Sequence, residues 1–135
     1  ARQALTSSAL RGVDVRVIVP RRSDSRVVTC ATRSYFDELV AAGVRVFEYQ
    51  PRMLHSKALL VDDDTVLVGS ANFDSRSFKL NFELSVLLID EGLATALEAV
   101  LRRDIEQSKE VGDARRPALP ERLAEAFARL LSPLL

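Results

Sequence analysis

Apolar residues along this chain recur with two periods, and the switches between them predict an α/β order of elements. Ala4, Leu5, Ser8 and Ala9 share one face of a helix that Gly12 ends as its C-cap. Val13–Val19 is apolar at every second position and reads as a strand stopped by Pro20. A loop over 20–31 follows, and then a helix over Thr32–Ala42. Thr32 or Ser34 can cap this helix, Phe36, Leu39 and Val40 form its buried stripe, and Gly43 ends it. Val44–Tyr49 is the next strand, and strand, helix and strand in this order make a right-handed βαβ unit the natural topology. Leu54–Val61 and Thr65–Gly69 read as two strands joined by the turn Asp62–Asp64. The apolar runs Val66–Val68 and Leu84–Ile89 predict strands covered on both faces. Asp90 then caps a helix with Leu93, Leu97, Val100, Leu101 and Ile105 on its core face. After a polar connector over 109–120, Pro120 sits in the first turn of a last amphipathic helix, with Leu123, Phe127, Leu130 and Leu131 on its apolar side. The expected fold is α/β: a mixed, largely parallel sheet with helices on both faces, in one domain over 1–135.

Composition narrows the classes of function. At 135 residues and 47% hydrophobic, the chain is long enough for a real core. Nineteen basic residues balance nineteen acidic ones, and a nucleic-acid binder usually carries a basic excess. The single cysteine, Cys30, excludes an internal disulfide framework. No apolar run reaches the ~18–20 residues that cross a bilayer. The chain opens inside what reads as a helix, so a natural start at Ala1 is not expected and an anchor could lie upstream.

The chemistry gathers in Leu54–Asp74 and just beyond it. His55 is the only histidine of the sequence, and Lys57 follows two places on, the step that puts both side chains on one face of a strand. Ser70 and Asn72 repeat the step directly after Gly69, and Asn81 and Glu83 repeat it again. Three neighbouring strands would offer a nucleophile, a cation, neutral hydrogen-bonding groups and a carboxylate, suited to attack on an anionic phosphoryl centre. Gly69 lacks a Cβ and would let backbone approach a phosphate closely. Asp62, seven positions from His55, has the wrong parity for that face and reads as a structural carboxylate. The run Asp62–Asp64 suits a solvated turn better than a metal site. Arg21, Arg22 and Arg26, in the loop leaving the first strand, stand where α/β sheets bind ligands. Phosphate binding and plain solvation both remain open for them.

His55-x-Lys57-x4-Asp62, followed by Gly69-Ser70-Ala71-Asn72, resembles the HxKxxxxD signature of the phospholipase D superfamily. SYFDELVAAGVRVFEYQ, RSFKLNFE and the final RLLSPLL are similar to the C-terminal half of bacterial cardiolipin synthases. The resemblance implies that His55 attacks phosphorus to form a phosphohistidine, with Glu83 fixing its tautomer. Lys57, Ser70 and Asn72 would bind the non-bridging oxygens, and Asp62 completes the motif. Asp74 and Arg76 match the same pattern and would hold their loop. Neither metal nor cofactor is implied. Family enzymes face two such motifs, the second histidine protonating the leaving group, whereas this chain has one histidine. An N-terminal half with a second motif, or a homodimer partner, is therefore expected. The implied reaction moves a phosphatidyl group from one phosphatidylglycerol to another, giving cardiolipin and glycerol, at the cytoplasmic membrane of a bacterium; hydrolysis differs only in the acceptor. A single-motif homodimeric nuclease shares every catalytic residue, although the neutral charge balance disfavours a nucleic-acid substrate. An isolated half without activity is the third reading.

Overall fold

A computed structural model describes residues 2–23, 25–71, 82–112 and 117–131. They form two compact units, one of residues 1–54 with 108–135 and one of residues 55–107.

In the first unit, helix α1 (Arg2–Leu10) leads to strand β1 (Arg16–Pro20), helices α2 (Arg26–Arg33) and α3 (Phe36–Ala41), and strand β2 (Arg45–Tyr49). Gly12 and Gly43 both take φ +90°, the left-handed conformation that lets each helix turn directly into the next strand. β1 and β2 pair in parallel, Arg16 with Arg45 through Pro20 with Tyr49, so the expected βαβ unit forms. Phe36, Leu39, Val44 and Val46 are its buried centre, with Leu5, Ala9, Val15, Val17 and Val19 packed against them. The helix expected over Thr32–Ala42 is instead two. The Ser34 hydroxyl donates to the Ala31 carbonyl at 2.7 Å and the Tyr35 amide to Thr32, which tightens the chain between α2 and α3. α2 also begins at Arg26, inside the segment read as loop, although Val27, Val28 and Thr29 are β-branched residues of poor helix propensity.

The connector read over 109–120 starts with a strand, β6 (Ser108–Glu110), antiparallel to β2. The last helix, numbered α5 here (Leu119–Leu131), contains Pro120 in its first turn as expected. Its buried residues are Ala128 and Glu125, while Leu123, Leu130 and Phe127, the last 66% exposed, lie on the open side. The expected apolar face is thus not the packed one. Glu38 on α3 binds both Arg2 and Arg129, at 3.2 and 2.9 Å, and both guanidiniums lie over the Tyr35 ring. These contacts tie α1 and α5 to α3.

In the second unit, β3 (Ala58–Val61), β4 (Thr65–Gly69) and β5 (Ser85–Ile89) form an antiparallel sheet in sequence order. Helix α4 (Glu91–Glu106) packs on β3 and β4. Asp90 caps it by accepting the Leu93 amide at 2.7 Å, and Ala94 and Val66 are each 1% exposed. The class is α/β as expected, but a single largely parallel sheet is not what forms: β1 with β2 is the only parallel pair among the described strands. The reason is connection length. A three-residue turn such as Asp62–Asp64 joins only antiparallel neighbours, since parallel strands need a long crossover. β5 was also expected to be covered on both faces, yet Val86, Leu87 and Ile89 are exposed, Ile89 at 74%.

The Arg45–Glu110 pair fastens β6 to β2 through two hydrogen bonds of 2.8 and 3.0 Å. The hydrogen bond from Arg45, reinforced by its charge, holds the Glu110 carboxyl below its ordinary range. A carboxyl depressed in the folded state stabilises the fold above its unfolded pKa and loses that contribution as pH falls through the folded pKa. Melts of the native chain and of Glu110→Gln should therefore differ at neutral pH and converge in acid below the carboxylate range. A gap that widens in acid would contradict the pairing.

Candidate active site

The hairpin fixes which residues meet. Ala58 pairs with Val68 and Gly69 with Ser85, so the start of β3, the end of β4 and the start of β5 lie at one end of the sheet. The Gly69 amide donates to the Lys57 carbonyl at 3.1 Å, and the Ser70 amide to the Leu84 carbonyl at 2.9 Å, which extends both ladders beyond the regular strands. His55, Lys57, Gly69, Ser70 and Glu83 are thereby gathered at this end.

His55 and Lys57 sit just before β3 and not within the strand expected over Leu54–Val61. Their side chains still meet. Lys57 Nζ lies 2.9 Å from His55 Nδ1, 3.1 Å from Nε2 and 2.8 Å from the His55 carbonyl oxygen. An ammonium has only protons to offer, so the contact needs a ring nitrogen that can act as acceptor. The His55 side is exposed, and Lys57 is half-buried.

Ser70 and Glu83 form the second pair. Ser70 Oγ donates to Glu83 Oε2 at 2.5 Å, a charge-assisted contact, and accepts the Leu84 amide at 3.1 Å. The single hydroxyl proton thus goes to Glu83, and Ser70 braces the carboxylate that the motif reserves for the histidine. Neither Leu84 nor Ser85 carries a chemical signal in the sequence. Leu84 contributes only backbone, and Ser85 stands against Gly69. A Cβ on Gly69 would collide with the Leu84 carbonyl oxygen and come within 2.8 Å of Ser85 Cα. The need for glycine here is therefore strand packing, in addition to any approach of phosphate.

Asp62 does not join the group. It follows β3 at its far end, five residues from Lys57, or roughly 16 Å at the usual strand rise. Its φ of 52° makes it the left-handed residue of the hairpin turn, a conformation that aspartate tolerates better than most side chains. Asp64 secures the turn, its carbonyl accepting the Asp90 amide at 2.8 Å and its carboxylate the Thr65 hydroxyl at 2.7 Å. Asn72, Asp74, Arg76 and Asn81 lie outside the described residues. Among the described residues no group of three His, Cys, Asp or Glu side chains is arranged to hold a metal ion.

A family model described as cardiolipin synthase, PLD-like domain, matches residues 1–105. Cardiolipin synthase A of Pseudomonas putida strain KT2440 is 48% identical over 134 residues, which is 98% of this chain and 28% of that protein. Cardiolipin synthase A of Pseudomonas aeruginosa strain LESB58 is 49% identical, over 98% of this chain and 27% of its own length. The chain thus spans less than a third of the length of these relatives. The crystal structure of Nuc from Salmonella typhimurium, a phospholipase D family member, superposes with a TM-score of 0.69 at 23% identity. It covers 82% of this chain and 72% of that one, a likeness of fold.

Substitutions at Gly69 and Asp62 separate structural from chemical demands at these positions. Gly69→Ala should destabilise the chain by about 1–3 kcal/mol, the usual cost of overpacking, because backbone of β5 must yield. Gly112→Ala, with nothing within 4 Å of its added carbon, should be near neutral; equal urea midpoints for the two would refute the steric account. At Asp62, Ala should cost about 1–2 kcal/mol for a left-handed residue while Gly should not. If Asp62→Gly unfolds as readily as Asp62→Ala, the turn conformation is not what the aspartate serves.

Proposed function

Because the chain belongs to the cardiolipin synthase, PLD-like domain family, we propose that it carries one of two catalytic motifs of a phosphatidyltransferase. His55 is the nucleophile. The observation that carries the reading is the contact of the His55 imidazole with the Lys57 ammonium, at the same sheet end as Glu83 and Ser70. A phosphodiester resists attack because it is an anion, so charge must be neutralised before a nucleophile can reach phosphorus. Lys57 exchanges its contact with the ring for a non-bridging oxygen, the Ser70 hydroxyl turns from Glu83 to donate to the same oxygens, and Asn72 adds a further hydrogen bond. One bond forms, from a His55 ring nitrogen to phosphorus, and one breaks, from phosphorus to the glycerol oxygen of phosphatidylglycerol. Glu83 accepts the proton of the other ring nitrogen and steadies the charge that develops on the ring. The leaving alkoxide takes a proton from a second histidine, and a hydroxyl of another phosphatidylglycerol then resolves the phosphohistidine to cardiolipin.

That second histidine comes from outside this chain, which contains one. The relatives are more than three times as long, and β5 presents exposed Val86, Leu87 and Ile89. An apolar strand of this kind suits packing against the remainder of a longer enzyme or against a second copy. Among the described residues no helix is long and apolar enough to cross a membrane, so access to a lipid substrate rests on surface association or on segments beyond this chain.

General-acid assistance is typically worth ~10²–10⁴-fold, so the chain alone should convert phosphatidylglycerol negligibly. Adding the segment of a parent enzyme that bears the second motif should restore cardiolipin formation, followed by mass spectrometry. His55→Ala should abolish the restored activity, and Lys57→Ala should lower kcat by ~10²–10³, the scale of one lost electrostatic donor. A sample that is monomeric by light scattering and turns over at an enzyme-like rate unaided would overturn the two-histidine mechanism. A restored enzyme indifferent to His55→Ala would overturn the nucleophile.

A further inference from the structure

β1 and β2 run parallel and end side by side, Pro20 opposite Tyr49. The segments leaving them enclose a cleft of about 460 Å³ lined by Arg21, Arg22, Arg52, Tyr49, Gln50 and Met53, among others. Its position outside the carboxyl ends of parallel strands is where open α/β sheets collect their ligands, and its size lies within the ~300–1,000 Å³ of small-molecule sites. The floor is ordered: the Arg21 amide donates to the Tyr49 carbonyl at 3.1 Å, and Arg21 Nη1 donates to Gln50 Oε1 at 3.2 Å.

Its lining brings three guanidiniums together, whereas other described arginines without an ion pair, such as Arg11, Arg103 and Arg122, do not line it. Arg2, Arg16, Arg33, Arg45, Arg102 and Arg129 each have a carboxylate within 3.2 Å. Among the described residues, Arg22 and Arg52 meet no carboxylate, and the side-chain partner of Arg21 is the neutral Gln50. None of the described residues lining the cleft is acidic. Like charges gathered in one cleft repel one another, and no described residue of the lining offers a carboxylate to offset them. An anion relieves the repulsion, and guanidinium forks match the paired oxygens of a phosphate.

We propose that this cleft is a second phosphate site, distinct from His55 and Lys57, that binds the phosphodiester of an anionic phospholipid headgroup through Arg21, Arg22 and Arg52. The lipid identity rests on the transferase reading, which requires two phosphatidylglycerols, one of whose phosphates is never attached to His55. The phosphate chemistry does not rest on it. Arg52 lies three residues before His55 in the chain, so one short stretch carries both anion-binding groups.

The test uses the chain with His55→Ala and Lys57→Ala, which removes the catalytic anion site, titrated by NMR with two probes. These are inorganic phosphate and short-chain phosphatidylglycerol below its micellar concentration. Both should bind, with Arg22→Gln and Arg52→Gln each weakening them at least tenfold. Arg52→Lys should recover part of the loss, and Arg102→Gln on α4 should change nothing. Undiminished binding in the Arg22→Gln/Arg52→Gln chain overturns the proposal, as does binding that vanishes with the His55 and Lys57 substitutions alone. Phosphate binding without phosphatidylglycerol binding overturns the lipid assignment. Since no turnover is required, failure of the transferase reading and failure of the cleft are read separately. Arg22→Gln and Arg52→Gln are surface changes, and an unchanged circular dichroism spectrum verifies the fold.

Discussion

The register of the β3–β4 hairpin is the constraint on which the candidate active site depends. Three aspartates span the turn, Asp62 bends left-handed, and Asp64 is tied both to Thr65 and to the Asp90 amide that begins the next helix. Side chains in a strand alternate with a period of two, so a slip of one residue would move every side chain of β3 to the opposite face. Lys57 would move together with Leu59 to the other face of the sheet, and its carbonyl would no longer meet the Gly69 amide. The geometry of the candidate site is thus set at the opposite end of the sheet. Gly69 extends the same constraint to β5, since only a residue without a side chain lets Leu84 and Ser85 approach closely enough to bring Glu83 alongside.

Within that frame Lys57 and Glu83 each contact an uncharged polar group of the site, the His55 carbonyl and the Ser70 hydroxyl in turn. Lys57 donates to a ring nitrogen and a carbonyl, and Glu83 accepts from a hydroxyl. A direct pairing of Lys57 with Glu83 would neutralise both and leave each harder to recruit. Hydrogen bonds with one ionised partner are weaker than those joining two opposite charges, so a phosphodiester offers Lys57 a better acceptor than the one it leaves. The arrangement favours exchange toward an anion, and on the proposed reading freeing Lys57 from the ring also frees the lone pair with which His55 attacks.

Much of this was legible in the residues, and the misses have identifiable causes. The helix ends at Gly12 and Gly43, the cap at Asp90, the parallel β1–β2 pair and the aspartate turn all rest on local chemistry, and all form. The α2–α3 break does not read out in advance because it depends on which way the Ser34 hydroxyl turns. β6 is three residues of Ser-Lys-Glu, too short and polar for a pattern, and is held by pairing with β2. The sheet is not largely parallel because the connection over Asp62–Asp64 is too short for a parallel crossover. At the candidate site, spacing located His55, Lys57, Ser70 and Glu83, but not which of them would bond to which. Strand parity set Asp62 apart from the others, and its place in the turn agrees with that separation.

Apolar sequence also says that a surface is unsuited to water without saying what will cover it. Leu84–Ile89 and the Leu123, Phe127 and Leu130 stripe of α5 both carry the pattern of buried elements, and both are exposed. Core residues such as Val46 and Val66 are fully enclosed in the same chain, so the exposure is local and does not reflect a general lack of packing. An uncovered apolar strand at the edge of an antiparallel sheet invites pairing with another chain. The lone histidine makes the corresponding demand in chemical terms, because a nucleophile cannot also be the acid that protonates its own leaving group in the same step. On the proposed reading, one addition to the chain answers both demands: a second motif that supplies the proton and whose surface covers β5.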